Sequence, residues 1–267
     1  MSMVDVDKLQ FGLETFGDIV SAEDGELLTA GQSIRQIVKE GQLADKLGVD
    51  VFGVGEHHRP DYSVSSPEIV LGSIASVTEH IKLATAVTVL SSDDPVRVYE
   101  RFATLEGLSE GRAQVMLGRG SFTESFPLFG YDLTDYDDLF NEKLEMYSQL
   151  IKEKPITWHG KFTQSLKDQD VYPKTDYNGI ETYIGIGGSP ESIIRTARYG
   201  YKVILAIIGG QADRFVPYLN LYKKQPKNII CRFNPLPFTP MVLSPMMRTK
   251  LLKLLGRTSR PILTASG

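Results

Sequence analysis

Residues 81–118 read IKLATAVTVLSSDDPVRVYERFATLEGLSEGRAQVMLG. The stretch opens on Ile81–Leu90, an apolar run that predicts a long buried strand. Asp94-Pro95 then opens a helix, with proline in the first turn, where its missing N–H costs nothing. Ala113–Gly118 is a second apolar run. Strand, helix, strand in that order, with apolar strands, predicts a parallel pair covered by a helix.

Working outward, the same alternation extends in both directions. Leu9–Phe16 reads as a strand, and in the helix after it Ile34, Ile37, Val38, Leu43, Ala44 and Leu47 recur three to four residues apart until Gly48 stops the pattern. Val51–Gly55 is a strand and Pro67–Val77 a helix. Beyond residue 118, Tyr136–Lys152 is a helix carrying Leu139, Leu144, Tyr147 and Ile151. Glu181–Ile186 and Lys202–Ile207 are strands, with helices over Ser189–Tyr199 and Gln211–Lys224. Segment 154–180, aromatic and β-branched between turn signals, reads as an excursion holding a short hairpin or extended strands.

The fold class is therefore α/β, with a parallel sheet under helices. Two architectures fit: an open doubly wound sheet, or a TIM-type (β/α)8 barrel with about six of its eight units present. The late position of Gly187-Gly188 and the lack of G-x-G-x-x-G at the first strand–helix turn favour the barrel. A chain of 267 residues suits a single barrel, for which about 250 suffice.

Composition narrows the partners. The net charge of −4 and the lack of a basic stripe argue against nucleic acid. The opening MSMVDVDKLQFGLETF has no basic start with an apolar run after it, and apolar stretches such as Val203–Ile208 are too short to cross a bilayer, so neither export nor a membrane is expected. One cysteine, Cys231, excludes an internal disulfide and suits a cytoplasmic location.

Three clusters fall at predicted strand tips. Glu56-His57-His58 follows the second strand and holds two of the four histidines; imidazole beside a carboxylate can shuttle protons near neutral pH. A bland role, ordering the loop by rim hydrogen bonds, is the alternative. Adjacent histidines without further ligands do not make a metal site, and none is expected. Gly118-Arg119-Gly120-Ser121 ends the fourth strand, where glycine lets a ligand approach and arginine offers a fork to phosphate oxygens. Gly187-Gly188-Ser189 opens the helix after the fifth strand, a ready anion site. Ala84-Thr85-Ala86-Val87 uses small residues, compatible with a flat ring against the backbone or with ordinary packing.

FGLETFGD, GEHHRPDYSVSSPEIVLG, SSDDPVRVYERFATL, GRGSFTESFPLFGYDL, TWHGKF, YIGIGGSPES and LAIIGG, in this order, resemble the luciferase-like flavin monooxygenases over about residues 9–224. The resemblance implies a TIM barrel with an inserted segment and reduced FMN, which with O₂ oxidises a small organic substrate. The deazaflavin F420, used by related barrels, is a lesser alternative. It implies that His57 is the active-site histidine, with His58 and Glu56 beside it. Arg119, with Gly120 and Ser121, contacts the FMN phosphate, and Gly187, Gly188 and Ser189 form its loop. Ala86-Val87 is implied to carry a non-proline cis peptide against the flavin ring. A flavin reductase is the implied partner and a homodimer a plausible assembly. Two departures, Gly118 at the luciferase reactive-cysteine position and two glycines for the acidic–Ser pair of the phosphate loop, speak against light emission and aldehyde specificity. A flavin-binding protein without turnover, or an inactive gene remnant, is the competing reading.

Residues 225–267 break the pattern: they hold six of the fourteen prolines and none of the 33 acidic residues. Read one base out of frame, codons for 240–250 can spell H-G-x-x-x-D-D-E-D-E, and a frameshift near Lys224–Gln225 is the expectation, against a divergent tail. The tail is expected to bring no further strand–helix unit. The first and sixth strands would then lack partners and the chain would be unstable, with Leu251, Leu252, Leu254 and Leu255 as a makeshift covering helix.

Overall fold

The computed structural model describes residues 10–22, 24–120, 122–177, 179–207 and 211–225, and the backbone of 241–243. It comprises two compact units, the first ending at Ala86 and including 241–243, the second beginning at Val87.

The first unit contains β1 (Gln10–Thr15), α1 (Ala30–Lys46), β2 (Val51–Val54), α2 (Pro67–Ala75) and β3 (Lys82–Thr85). The three strands are parallel, with Glu14 paired to Gly53 and Gly53 to Ala84. Thr29 and Gln32 form a capping box that starts α1: the Thr29 N–H donates to Gln32 Oε1 at 2.8 Å and the Gln32 N–H to Thr29 Oγ1 at 3.3 Å. Glycine inside a helix costs about 1 kcal/mol against alanine. Gly41 is there because a Cβ would lie 2.8 Å from Ile74 of α2, so its absence lets the helices close on each other. The Asp45 carboxylate accepts the N–H groups of Glu79, His80 and Ile81 at 3.0, 2.9 and 2.7 Å and so anchors the entry to β3. Leu13, Phe52, Val54, Leu83, Ile37 and Leu71 form the core.

The second unit contains β4 (Thr88–Val89), α3 (Pro95–Leu108), β5 (Ala113–Gly118), α4 (Ser125–Leu128), α5 (Tyr136–Leu150), β6 (Ile156–Trp158), β7 (Leu166–Gln169), β8 (Glu181–Ile186), α6 (Pro190–Tyr199), β9 (Lys202–Leu205) and α7 (Val216–Lys224). Strand β5 pairs in parallel with β4 and with β8, and β8 with β9. Asp94 caps α3, accepting from the N–H groups of Val96 and Arg97 at 2.7 and 3.2 Å, as its place before Pro95 predicts. The core gathers Val98, Phe102, Val115, Leu117, Leu144, Tyr147 and Ile193. Among residues 154–180, β6 and β7 form an antiparallel hairpin. Glu142 of α5 fixes the loop between them, accepting from the N–H groups of Lys161, Phe162 and Thr163 at 2.7, 2.8 and 2.9 Å.

Two expectations are corrected. Ile81–Leu90 is not one strand: Ala86 still donates to the Val54 carbonyl at 2.8 Å, whereas Thr88 and Val89 pair with Leu117 and Gly118 of β5. The chain changes partners at Ala86-Val87, which hydrophobic pattern alone does not reveal. The tail does bring a strand. Backbone residues Met241–Leu243 form β10 beside β1, Gln10 opposite Met241 and Gly12 opposite Leu243. Three residues without proline supply the ladder's N–H groups, so the expectation that β1 has no partner on that side fails. The expected Leu251–Leu255 helix and Cys231 lie outside the described residues. Among the described residues no helix is long and apolar enough to cross a membrane.

Candidate active site

In the first unit, the residues after β2 turn His57 back onto the strand tips. Its Nδ1 lies 2.9 Å from the Phe16 carbonyl oxygen. A carbonyl only accepts, so in the neutral ring Nδ1 carries the hydrogen and Nε2 the lone pair. The ring stacks on Tyr62 at a centroid distance of 4.0 Å and 13°, and meets Phe16 edge-on at 5.9 Å. Burial pushes the imidazole below the usual histidine range, opposed by the Phe16 carbonyl and by the charges of Asp18, Glu56 and Asp61. A neutral, oriented imidazole is a proton acceptor at physiological pH. Glu56 serves the neighbouring ring: its Oε1 is 3.0 Å from His58 Nε2, and both side chains are largely buried.

One face of this unit's sheet is nearly bare. A Cβ on Gly53 would lie 3.2 Å from Glu14 Cβ and 3.3 Å from Ala86 Cβ; a Cβ on Gly55 would lie 3.1 Å from His57 Cε1. Strand alternation puts Gly53 and Gly55 on one face, so Glu14, Ala86 and His57 share it. Ala86 is partly exposed although Ala84 and Thr85 before it are buried.

In the second unit, Arg119 leaves the tip of β5 between Gly118 and Gly120. It pairs with Asp137 of α5, lies 5.4 Å from the Tyr136 ring centroid, and reaches Ser192 Oγ at 3.4 Å through Nη2. Gly120 has φ +75°, a conformation that favours glycine. Ser189 caps α6, accepting from the Ser192 N–H at 3.3 Å and donating to Glu191 Oε2 at 2.7 Å. Gly188 has φ +129° and a Cβ there would sit 3.6 Å from the Tyr218 hydroxyl of α7, while a Cβ on Gly187 would meet nothing within 4 Å.

Sequence reasoning missed Arg195, one turn into α6. Its Nη2 donates to Ser192 Oγ at 3.0 Å, its Nη1 reaches Asn141 Oδ1, and its Nε is buried with no acceptor among the described residues. Burial and then the charge of Arg119 depress its pKa. Two guanidinium groups on one hydroxyl at a helix N-terminus repel each other, and an anion there relieves both. The i, i+3 spacing of Ser192 and Arg195 was the available signal. The donor set fits a phosphate group.

Val87, partly exposed like Ala86, belongs to this unit and packs into a notch: a Cβ on Gly118 would lie 2.5 Å from its Cγ2, and one on Gly185 3.3 Å from its Cγ1. The non-proline cis bond implied at Ala86–Val87 is not found; among the described residues the cis peptide is Tyr172–Pro173. A trans bond spares about 3–4 kcal/mol. Ser121 and Gly209-Gly210 lie outside the described residues.

Parallel strands alternating with covering helices define the class: an α/β protein of the TIM-barrel type. Residues 15–229 match the luciferase-like monooxygenase family, and the chain belongs to it. N-acetyl-S-alkylcysteine monooxygenase of Bacillus subtilis (strain 168) is 28% identical over 193 residues, covering 71% of this chain and 56% of the relative. The oxygenating constituent of 3,6-diketocamphane monooxygenase from the CAM plasmid of Pseudomonas putida, solved in complex with FMN, is similar at TM-score 0.68 and 19% identity, over 81% of this chain and 62% of that one. An F420-dependent secondary alcohol dehydrogenase is similar at TM-score 0.63 and 19% identity, over 82% and 66%. The chain spans about half the length of the curated relatives it matches. These likenesses agree with the TIM-type α/β class read from the sequence.

Proposed function

We propose that this chain is the flavin-binding part of an FMN-dependent monooxygenase acting on a small organic substrate with O₂, with reduced flavin delivered by a separate cytoplasmic reductase. The observation that carries the reading is the convergence of Arg119 and Arg195 on Ser192, with the Arg195 Nε left over as a buried donor. Arg119, Arg195, Ser192, Ser189 and the loop of Gly187, Gly188 and Gly120 hold the phosphate; Ser121 is assigned there on resemblance alone. Ala86 and Val87 are assigned to the flavin ring on resemblance alone. FMN, when bound, supplies the redox chemistry that activates O₂. His57, with its lone pair on Nε2, accepts or returns a proton at the rim. His58, oriented by Glu56, fixes the loop that carries it. The assembly we propose is a homodimer.

Titration of the full chain with FMN and with riboflavin tests the cradle. FMN is expected to bind at least about tenfold more tightly, since two charge-assisted contacts depend on its phosphate. Equal affinities, or no binding of either, end the reading. Oxidation of thioethers and ketones with reductase-supplied flavin then separates an enzyme from a flavin-binding protein without turnover. A second reading, F420 in place of FMN, is favoured by the likeness to the F420-dependent dehydrogenase and by a cradle that reads only phosphate. Competition between the two cofactors decides between them.

A further inference from the structure

Glu14 stands in the middle of β1 on the bare face of the first unit, opposite Gly53 in the parallel register. It is the one acidic side chain among Gly12, Gly53, Gly55, Ala84 and Ala86, which alternation places on that face. Its Cβ would be only 3.2 Å from a Cβ on Gly53, and Ala86 lies just beyond. Among the described residues the carboxyl makes no hydrogen bond or ion pair, and burial alone pushes its pKa up to about 7. The side chain is half-buried, and holding a largely desolvated carboxyl without a partner costs stability and gains nothing structurally. The other titratable groups of that face are His57, at its tip beside Gly55, and Lys82, which the register places two residues before Ala84 at the opposite end of β3.

We propose that Glu14 is a catalytic carboxyl, the proton donor to the reacting group of a ligand lying over Gly53 against Ala86. This deepens the proposed function and rests on that reading. The step is a proton transfer: the Glu14 O–H bond breaks, an O–H or N–H bond forms on the ligand, and the carboxylate recovers its proton from water. No electrons change hands. Glycine at 53 is part of the design, because any larger residue there would bury the carboxyl under its own side chain.

The test uses the full chain, with and without oxidised FMN. Infrared difference spectra between the wild type and Glu14→Gln isolate the Glu14 carboxyl band, which is expected to disappear as pH rises through about 7. FMN is expected to shift that band or its midpoint. Glu14→Gln is expected to keep FMN affinity within about threefold while turnover falls roughly 10²–10⁴-fold, the range of general acid catalysis. A band indifferent to FMN together with wild-type turnover in Glu14→Gln overturns the proposal and leaves FMN binding intact. If the wild type does not bind FMN, both readings fall. Should the variant not fold, carbon-13 NMR of the glutamate carboxyls in the wild type decides: a glutamate with a neutral midpoint that responds to FMN supports the role, and none overturns it.

Discussion

Arg119 and Arg195 share one acceptor: both guanidinium groups reach the Ser192 hydroxyl oxygen, at 3.4 and 3.0 Å, from different elements of the second unit. Each also holds an oxygen of α5, Asp137 for Arg119 and Asn141 for Arg195. Like charges drawn together at the start of a helix are costly without a ligand and favourable with an anionic one.

The first prediction follows from that cost. Arg195→Met removes a donor to the phosphate and is expected to weaken FMN binding roughly 10–100-fold, the effect of about 1.5–3 kcal/mol for a bond to a charged group. Riboflavin affinity should not move. Without ligand, the variant's melting temperature is expected to equal or exceed that of the wild type, because repulsion from Arg119 is gone. Equal losses for FMN and riboflavin would assign Arg195 a purely structural part.

Much of this site was legible because its residues sit where periodic segments end. Arg119, Gly187, Gly188 and His57 each follow an apolar run whose termination is visible in the sequence, so their place at strand tips follows from the pattern. Arg195 was legible only as the i, i+3 neighbour of Ser192; it lies inside a helix, and its role depends on which face of α6 meets α5. Glu14 was hidden in the opposite way. It interrupts a strand pattern by one residue, and only the register shows that its cross-strand partner on β2, Gly53, has no side chain to satisfy it. The break at Ala86-Val87 and the pairing of β10 with β1 both depend on strand partners distant in sequence, which local propensity does not encode.

Gly118 explains one departure from the luciferase pattern in steric terms. A Cβ there would stand 3.1 Å from Val87 Cβ, a tight contact, and 2.5 Å from its Cγ2, closer than a Cβ tolerates. Restoring a cysteine, Gly118→Cys, is therefore expected to cost about 1–3 kcal/mol, the usual range for overpacking a core. Adding Val87→Ala should recover most of the loss, and a double-mutant cycle on denaturant midpoints measures the coupling. Additive effects would mean that Val87 moves freely.

Glu14 also sets a pH dependence of stability. Its folded pKa of about 7 lies above the ordinary 4.5, so folding favours the protonated acid. The contribution is whole below about pH 4.5 and is lost as pH rises through 7. At 1.36 kcal/mol per unit, the loss at alkaline pH is at most roughly 3 kcal/mol. Glu14→Gln removes the titration: it should match the wild type near pH 4 and exceed it in stability near pH 8, as urea unfolding at the two values would record. A constant difference across that range would show that burial does not govern this carboxyl.

Glu142 carries the opposite sign. Burial alone would raise its pKa, but the Thr163 hydroxyl and the N–H groups of Phe162, Lys161 and Thr163 outweigh it and hold the carboxylate below the usual range. Its contribution is present above the ordinary value of 4.5 and lost as pH falls through the lowered one. Because those donors belong to the loop between β6 and β7, losing the charge should free the hairpin before the strands of the second unit. Glu142→Gln keeps the shape but offers the three N–H groups one neutral acceptor oxygen in place of a carboxylate. It is expected to raise the rate of proteolytic cleavage and of amide exchange at Lys161–Thr163 at neutral pH, while exchange in β5 and β8 stays slow. The wild type should reproduce the same local opening on acidification, at a pH where Glu142→Gln no longer changes. If exchange in β5 rises in step with the loop, the clamp belongs to the core's cooperative unit and does not act locally.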